Sequence, residues 1–223
     1  MPPLNINEDQ LITNLASLKL EAPCVAAIAG LSGSGKTTLA AKLKNHFAPH
    51  AVMVSLDDFI NVPTEIRKNF LRAALETTDR ERLRYLAAPA VAADNPYAHP
   101  ASKYDWAAVE ECLATLKSGR SFARENCWDQ KTGKCDRSVV YHAPGKQPFY
   151  IFFDTCDPLK NRNQCDVLVV LDVNPETAHQ RRASRQAHLY DDAYLVYKQM
   201  ISDIYRRPEM AKARAQADFV VKL

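Results

Sequence analysis

The amino-acid sequence predicts an α/β fold, a parallel sheet with helices on both faces and a lid and hairpin insertion. Three observations predict it. Short apolar runs alternate with segments of helical periodicity along most of the chain. A glycine-rich stretch ending in lysine and threonines, "GLSGSGKTT" at residues 30–38, joins a strand signal to a helix signal. The 223 residues, 47% hydrophobic and 25% charged, suffice for one sizeable core and exclude a disordered chain. One domain is expected over 1–223, with roughly 60–145 inserted over the substrate side of the sheet.

The elements follow in order. "LITNLASLKL" has the spacing of a leading helix. "CVAAIA", Cys24 to Ala29, is apolar without helical period and reads as a buried strand. Leu39, Leu43 and Phe47 mark one face of a following helix. "AVMVSL", residues 51–56, is a second strand. Residues 62–104 are polar, contain prolines and are partly helical, as in "RERLRYLAA". "DWAAVEECLATLKSG" is an amphipathic helix stopped at Gly119. "FARENCWD" and "RSVVYHA" flank "QKTGKC", whose glycine permits a hairpin turn. "FYIFF" and "DVLVVLDV" resemble central parallel strands, which are apolar on both faces. Helices are expected over "ETAHQRRASRQAHL" and "DDAYLVYKQMISDIYRR", and "DFVVKL" closes as a strand.

Composition narrows the class of protein. A net charge of +3 suits polyanionic small substrates and is too small to argue for nucleic acid. No apolar run approaches the length of a membrane helix, and "MPPLNINEDQ" is acidic and polar, unlike a secretory signal. The six cysteines contain no C-x-x-C pair, and several lie within apolar runs, as free thiols do. A reducing, cytoplasmic setting is expected. The alternative is a bond between Cys127 and Cys135 across the hairpin.

Three of the chain's six glycines fall within six positions, at Gly30, Gly33 and Gly35. The stretch fits G-x-x-x-x-G-K-[ST], the Walker A or P-loop pattern, from Gly30 to Thr37. Glycines let the backbone turn its N–H groups inward as a nest for phosphate oxygens. The helix N-terminus adds unpaired donors and positive dipole charge. Gly30, Ser32, Gly33, Ser34, Gly35, Lys36, Thr37 and Thr38 are therefore expected to bind a nucleotide. Lys36 would reach the β- and γ-phosphates, and Thr37 would hold Mg²⁺ through its hydroxyl.

Other constellations take meaning from that loop. "SLDDF" places Asp57 and Asp58 at the end of the second strand, the edge where open α/β sheets bind ligands. Asp57, ahead of Asp58, is the candidate base that orients an acceptor hydroxyl; a helix cap is the alternative. Asp154 ends the apolar strand "FYIFFD" and is the candidate second metal-holding group, or else a strand-end carboxylate in solvent. Arg182 and Arg185, three apart in "HQRRASRQ", can share one helix face over a triphosphate, or line a solvated basic surface. Tyr97, His99, Tyr104, Trp128 and Asp129 are candidates for a polar acceptor pocket, with packing as the alternative.

The order of these stretches resembles the uridine kinase and phosphoribulokinase-like family of P-loop kinases. It runs from GLSGSGKTT through SLDDF, AHP with YDW, WDQKTG, a strand ending in an acid, and RRASR. The resemblance extends from about residue 22 to the C-terminus. It implies a P-loop NTPase-type sheet, ATP with Mg²⁺, and transfer of the γ-phosphate to a hydroxyl. It also implies a general base at Asp57, ATP binding at Gly33 to Thr38, and lid arginines at Arg182 and Arg185. The sequence departs from the uridine-phosphorylating pattern at Ile60, where a tyrosine is usual, and at Ala98, where an aspartate is. It departs again near Gly133, where a histidine is common, and at Asp154–Thr155, where E-G is usual. The resemblance thus implies phosphoryl transfer without implying uridine as acceptor. The rival reading is a P-loop ATPase or nucleotide-binding switch acting through a protein partner. A guanine-reading N-K-x-D run is absent from the sequence.

Overall fold

The computed structural model describes residues 3–68, 103–145, 148–190, 194–196, 199 and 202–222. Within them the chain runs β1 (Leu4–Ile6), α1 (Glu8–Ser17), β2 (Cys24–Ala29), α2 (Lys36–His46), β3 (Ala51–Ser55) and a 3₁₀ turn (Leu56–Phe59). After the insertion follow α3 (Trp106–Lys117), the strands β4 (Phe122–Trp128) and β5 (Cys135–Tyr141), and β6 (Tyr150–Thr155). The chain closes with β7 (Val167–Asp172), α4 (Pro175–Gln186), α5 (Arg207–Ala215) and β8 (Phe219–Lys222).

Six strands form one sheet in the order β1-β8-β7-β2-β6-β3, and every pairing in it is parallel. β4 and β5 make a separate antiparallel hairpin. The apolar strands divide their side chains between two cores. Ala26, Ile28, Phe152, Val169 and Val221 pack with Leu11 and Leu15 of α1 and Leu39 and Leu43 of α2. Ala27, Ile151, Phe153, Leu168 and Val220 pack with Val109, Leu113 and Leu116 of α3 and Ala213 of α5. The period-2 alternation of a strand sends successive residues to opposite faces, so a sheet covered on both sides needs unbroken apolar runs.

Helix ends follow local chemistry. Asn7 and Gln10 form a reciprocal capping box at α1, each backbone N–H donating to the other's side chain at 2.9 Å. Asp105 caps α3 by accepting from Ala108 N at 3.1 Å. α3 ends at Lys117 and the chain turns at Gly119, where φ is 77°.

The expected two-faced parallel sheet and the hairpin are both present. Two elements differ. β1 was not anticipated, because three residues with Leu4 57% exposed carry no strand pattern. The helix expected over 191–207 is described only at 194–196 and 199; a π-helix follows at Ser202–Arg206 and α5 continues to Ala215. Tyr97 and His99 lie outside the described residues. All six cysteines are free, so Cys127 and Cys135 are not bonded although β4 and β5 bring them near.

A buried ion pair fastens the chain after β6 to the start of α5. Arg206 Nη1 donates to Asp157 Oδ1 at 2.5 Å and to Cys156 O at 2.7 Å. Burial opposes charge on Arg206, but Asp157 outweighs it and holds the guanidinium pKa well above its ordinary value. Removing one partner strands a buried charge, so Arg206→Met should cost about 3–5 kcal/mol in urea unfolding. Asp157→Asn combined with Arg206→Met should recover part of that loss; equal loss in both variants would mean the pair is not the source.

Candidate active site

β2 lies between β7 and β6, and the glycine-rich loop leaves its C-terminal end. That is the switch point at which an open parallel sheet opens a crevice for ligands. Inside the loop Ser34 N donates to Leu31 O at 3.0 Å. Gly35, at φ 98°, begins α2 with no side-chain cap, so the first N–H groups of the helix face the loop. Lys36 is buried and its Nζ donates to Leu31 O at 3.0 Å, leaving further ammonium donors. Ser34 is 1% exposed and its Oγ has no hydrogen-bond partner. A buried hydroxyl left open beside a nest of N–H groups fits a phosphate-bearing ligand.

The loop meets the strand acid directly. Thr37 Oγ1 donates to Asp154 Oδ2 at 2.6 Å. In the register, Asp154 lies beside Ile28 of β2 and Ser55 of β3. Asp154 is buried, and desolvation raises its carboxyl pKa while Lys36 and the Thr37 hydroxyl oppose the rise. Hydroxyl and carboxylate oxygens at one point are the donors Mg²⁺ prefers, supplemented by phosphate oxygens and water. Among the described residues no cluster of three or more His, Cys, Asp or Glu side chains forms a self-sufficient metal site.

The two aspartates after β3 face different surroundings. Asp57 is exposed, and its charge is felt at Asp154, Lys103 and Tyr104. Asp58 is buried and accepts hydrogen bonds from Tyr141 Oη and Arg137 Nη2, both on β5. Burial raises the Asp58 pKa, with Tyr141 and Arg137 opposing. Asp58 thus ties the hairpin to the turn that presents Asp57.

The remaining candidates separate. Arg182 is buried and donates to Gln199 Oε1 at 3.0 Å, with His179 Nδ1 2.8 Å from the same nitrogen. Arg185 is exposed and its charge acts on Asp154. Trp128 is buried; its Nε1 donates to Thr64 Oγ1 at 3.0 Å. Asp129 turns the hairpin, accepting from Lys131 N at 2.8 Å. Tyr104 is buried with its Oη 3.3 Å from Cys156 Sγ. The sequence reading did not single out Arg67, Lys103, Arg137 or Tyr141. Of these, Lys103 adjoins the YDW stretch, and Arg137 and Tyr141 lie within the strand signal "RSVVYHA".

A family model described as Phosphoribulokinase / Uridine kinase family matches residues 25–188. Solved structures share the fold at low identity. One described as a possible uridine kinase from Bacillus stearothermophilus is 19% identical, with 96% of each chain covered and a TM-score of 0.57. One provisionally described as a fructose transport system kinase from Silicibacter sp. TM1040 is 16% identical, with 96% and 98% covered and a TM-score of 0.65. A P-loop-containing protein from Saccharomyces cerevisiae, provisionally described as a kinase with a circular permutation, is 10% identical, with 98% and 99% covered and a TM-score of 0.61. No curated protein matches at the same level of significance.

α4 rests on the loop at Gly33. A Cβ there would lie 2.0 Å from Ala178 O and 3.1 Å from Arg182 N, and φ is +89°. Gly33→Ala should therefore displace either the loop or α4 and destabilise the protein by more than about 1 kcal/mol. Thermal unfolding should show a lower midpoint, and calorimetric titration with Mg·ATP a weaker affinity. An unchanged midpoint and affinity would mean that the contact between loop and helix does not matter.

Proposed function

The chain belongs to the phosphoribulokinase and uridine kinase family of P-loop kinases, and on that premise we propose that it transfers the γ-phosphate of ATP to a hydroxyl of a small molecule. The observation that carries the reading is the 2.6 Å hydrogen bond from Thr37 to Asp154, which draws the phosphate loop and the strand acid to one point. Gly30 and Ser32 to Thr38 bind the nucleotide phosphates in this reading, with Lys36 on the β- and γ-phosphates. Thr37 and Asp154 hold Mg²⁺, which when bound neutralises charge on the phosphate oxygens. Arg185 meets the charge that develops on the transferred group. Arg182 supports it by holding α4 through Gln199.

Asp57 orients the acceptor hydroxyl. The hydroxyl oxygen bonds to the γ-phosphorus, the bond to the bridging oxygen breaks, ADP departs, and the hydroxyl proton passes to Asp57. Exposure and closeness to Asp154 favour Asp57 for this role, whereas Asp58 is engaged by Tyr141 and Arg137. Trp128 contributes as part of the acceptor wall through Thr64 and Arg67.

Lys36→Ala should abolish transfer while leaving the unfolding midpoint near that of the parent, and should weaken Mg·ATP binding. Full affinity and turnover in this variant would end the phosphate-loop reading. Asp154→Asn should shift the Mg²⁺ titration of activity to higher concentration and keep ATP binding. A superimposable metal titration would leave Asp154 as a strand end only.

The aspartate pair separates a kinase from a nucleotide switch. Asp57→Asn should reduce single-turnover transfer by roughly 10²–10⁴-fold, the usual contribution of a general base. Nucleotide affinity should hold. Asp58→Asn should act on stability first, since it weakens the anchor to Arg137 and Tyr141. Near-full transfer in Asp57→Asn would refute the base assignment.

A further inference from the structure

Two cations, Arg67 and Lys103, form no ion pair among the described residues. Arg67 is 7% exposed. Its Nη2 donates to Thr64 Oγ1 at 2.9 Å, its guanidinium carbon lies 5.3 Å from the Trp128 ring centroid, and its Nε has no hydrogen-bond partner. Thr64 also accepts from Trp128 Nε1, and its N–H donates to Gly133 O at 2.8 Å. The guanidinium is therefore held between the 64–68 helical turn and the hairpin. Lys103 sits beside the segment that follows Asp57. Asn61 N donates to Lys103 O at 3.0 Å, and Ile60 pairs with Tyr104 in an isolated bridge. Lys103 Nζ lies 4.7 Å from the Tyr104 ring centroid. Burial, with Arg67 adding to it, pulls the ammonium pKa down to about 8, while Asp57 works against the fall.

No ion pair among the described residues includes Arg67 or Lys103. A buried guanidinium with an unpaired N–H, next to a second cation, is costly unless something else brings the negative charge. Resting on the kinase reading above, we infer that Arg67 and Lys103 form an anion-binding subsite for the acceptor. The molecule phosphorylated beside Asp57 then carries a carboxylate or phosphate of its own. A neutral polyol or nucleoside would bring no negative charge to the buried Arg67 guanidinium. Trp128 is a positioning residue here, since its ring lies against Arg67 and its indole N–H shares Thr64 with it.

Two measurements test this. The protein, loaded with Mg²⁺ and a non-hydrolysable ATP analogue so that the phosphate loop is filled, is titrated with inorganic phosphate and separately with acetate while tryptophan emission is followed. A saturable change is expected for at least one anion, because Trp128 lies against Arg67; the tighter anion identifies the phosphate or the carboxylate arm. Arg67→Gln and Lys103→Gln should each weaken it by about tenfold or more, the scale of one charge-assisted hydrogen bond. Lys103→Gln keeps the test open should Arg67→Gln fail to fold. In steady-state assays with glycerol, glycerate and glycerol 3-phosphate, any turnover should favour an anionic member, with the variants raising its KM and leaving the KM for ATP in place. No saturable emission change, a change that both variants retain, or a preference for glycerol would overturn the subsite. Failure of the ATP analogue to bind would instead strike at the kinase reading itself.

Discussion

A buried carboxylate on the strand beside the phosphate loop sets the geometry on which the site depends. Asp154 lies near the end of β6, between β2 and β3, and is removed from water. An isolated buried carboxylate is expensive and takes up a proton unless neighbours stabilise its charge. Here the neighbours are Thr37, donating at 2.6 Å, and the charges of Lys36 and Arg185. Loop, strand acid and α4 are thus bound into one electrostatic unit, and each part has a reason to occupy its position. The next residues extend that anchoring. Thr155 Oγ1 accepts from Asp157 N at 3.1 Å, and Asp157 takes the buried Arg206. The strand end is fixed by hydrogen bonds on both sides of the acid.

The pair Asp57–Asp58 uses its two members in opposite ways. A 3₁₀ turn begins where β3 ends and points consecutive side chains in different directions. Asp58 turns inward and accepts from Tyr141 and Arg137, and burial with the adjacent carboxylate holds the Tyr141 hydroxyl protonated. Asp57 is exposed. The hairpin is therefore more than a cover: its β5 residues hold the turn that presents the proposed base. The tip of the same hairpin, through Gly133 and Trp128, holds Thr64 and Arg67.

Much of this was legible in the sequence, for physical reasons. The phosphate loop is a local pattern whose glycines, lysine and threonine act within one turn, so nine consecutive letters suffice to read it. Buried parallel strands are apolar on both faces, so β2, β6 and β7 stand out without any partner being known. The parallel pairing of the sheet follows from the alternation of strands with helices. β1 escaped because it is three residues long and its pairing with β8 lies at the far end of the chain. The expected helix stops at residue 207, one before Pro208, whereas proline is well tolerated in the first turn of a helix and α5 runs on from Arg207. Arg67 and Lys103 had no signal of their own. Their roles come from contacts with Trp128, Thr64 and Asn61 that only the folded chain brings together.

The loop glycines also decide which arginine is available to phosphate. α4 approaches so closely that any side chain at residue 33 would strike Ala178 O. Such an approach buries the helix face nearest the loop, and Arg182 lies on that face. Burial disfavours its charge, and its Nη2 turns to Gln199 and His179. One turn further along, Arg185 clears the contact, stays exposed and acts on Asp154. Two arginines that spacing alone makes equivalent are thus made unequal by the helix's distance from the loop. In the proposed mechanism the inner one fixes the helix and the outer one meets the phosphates. Glycine at position 33 makes that division sterically possible.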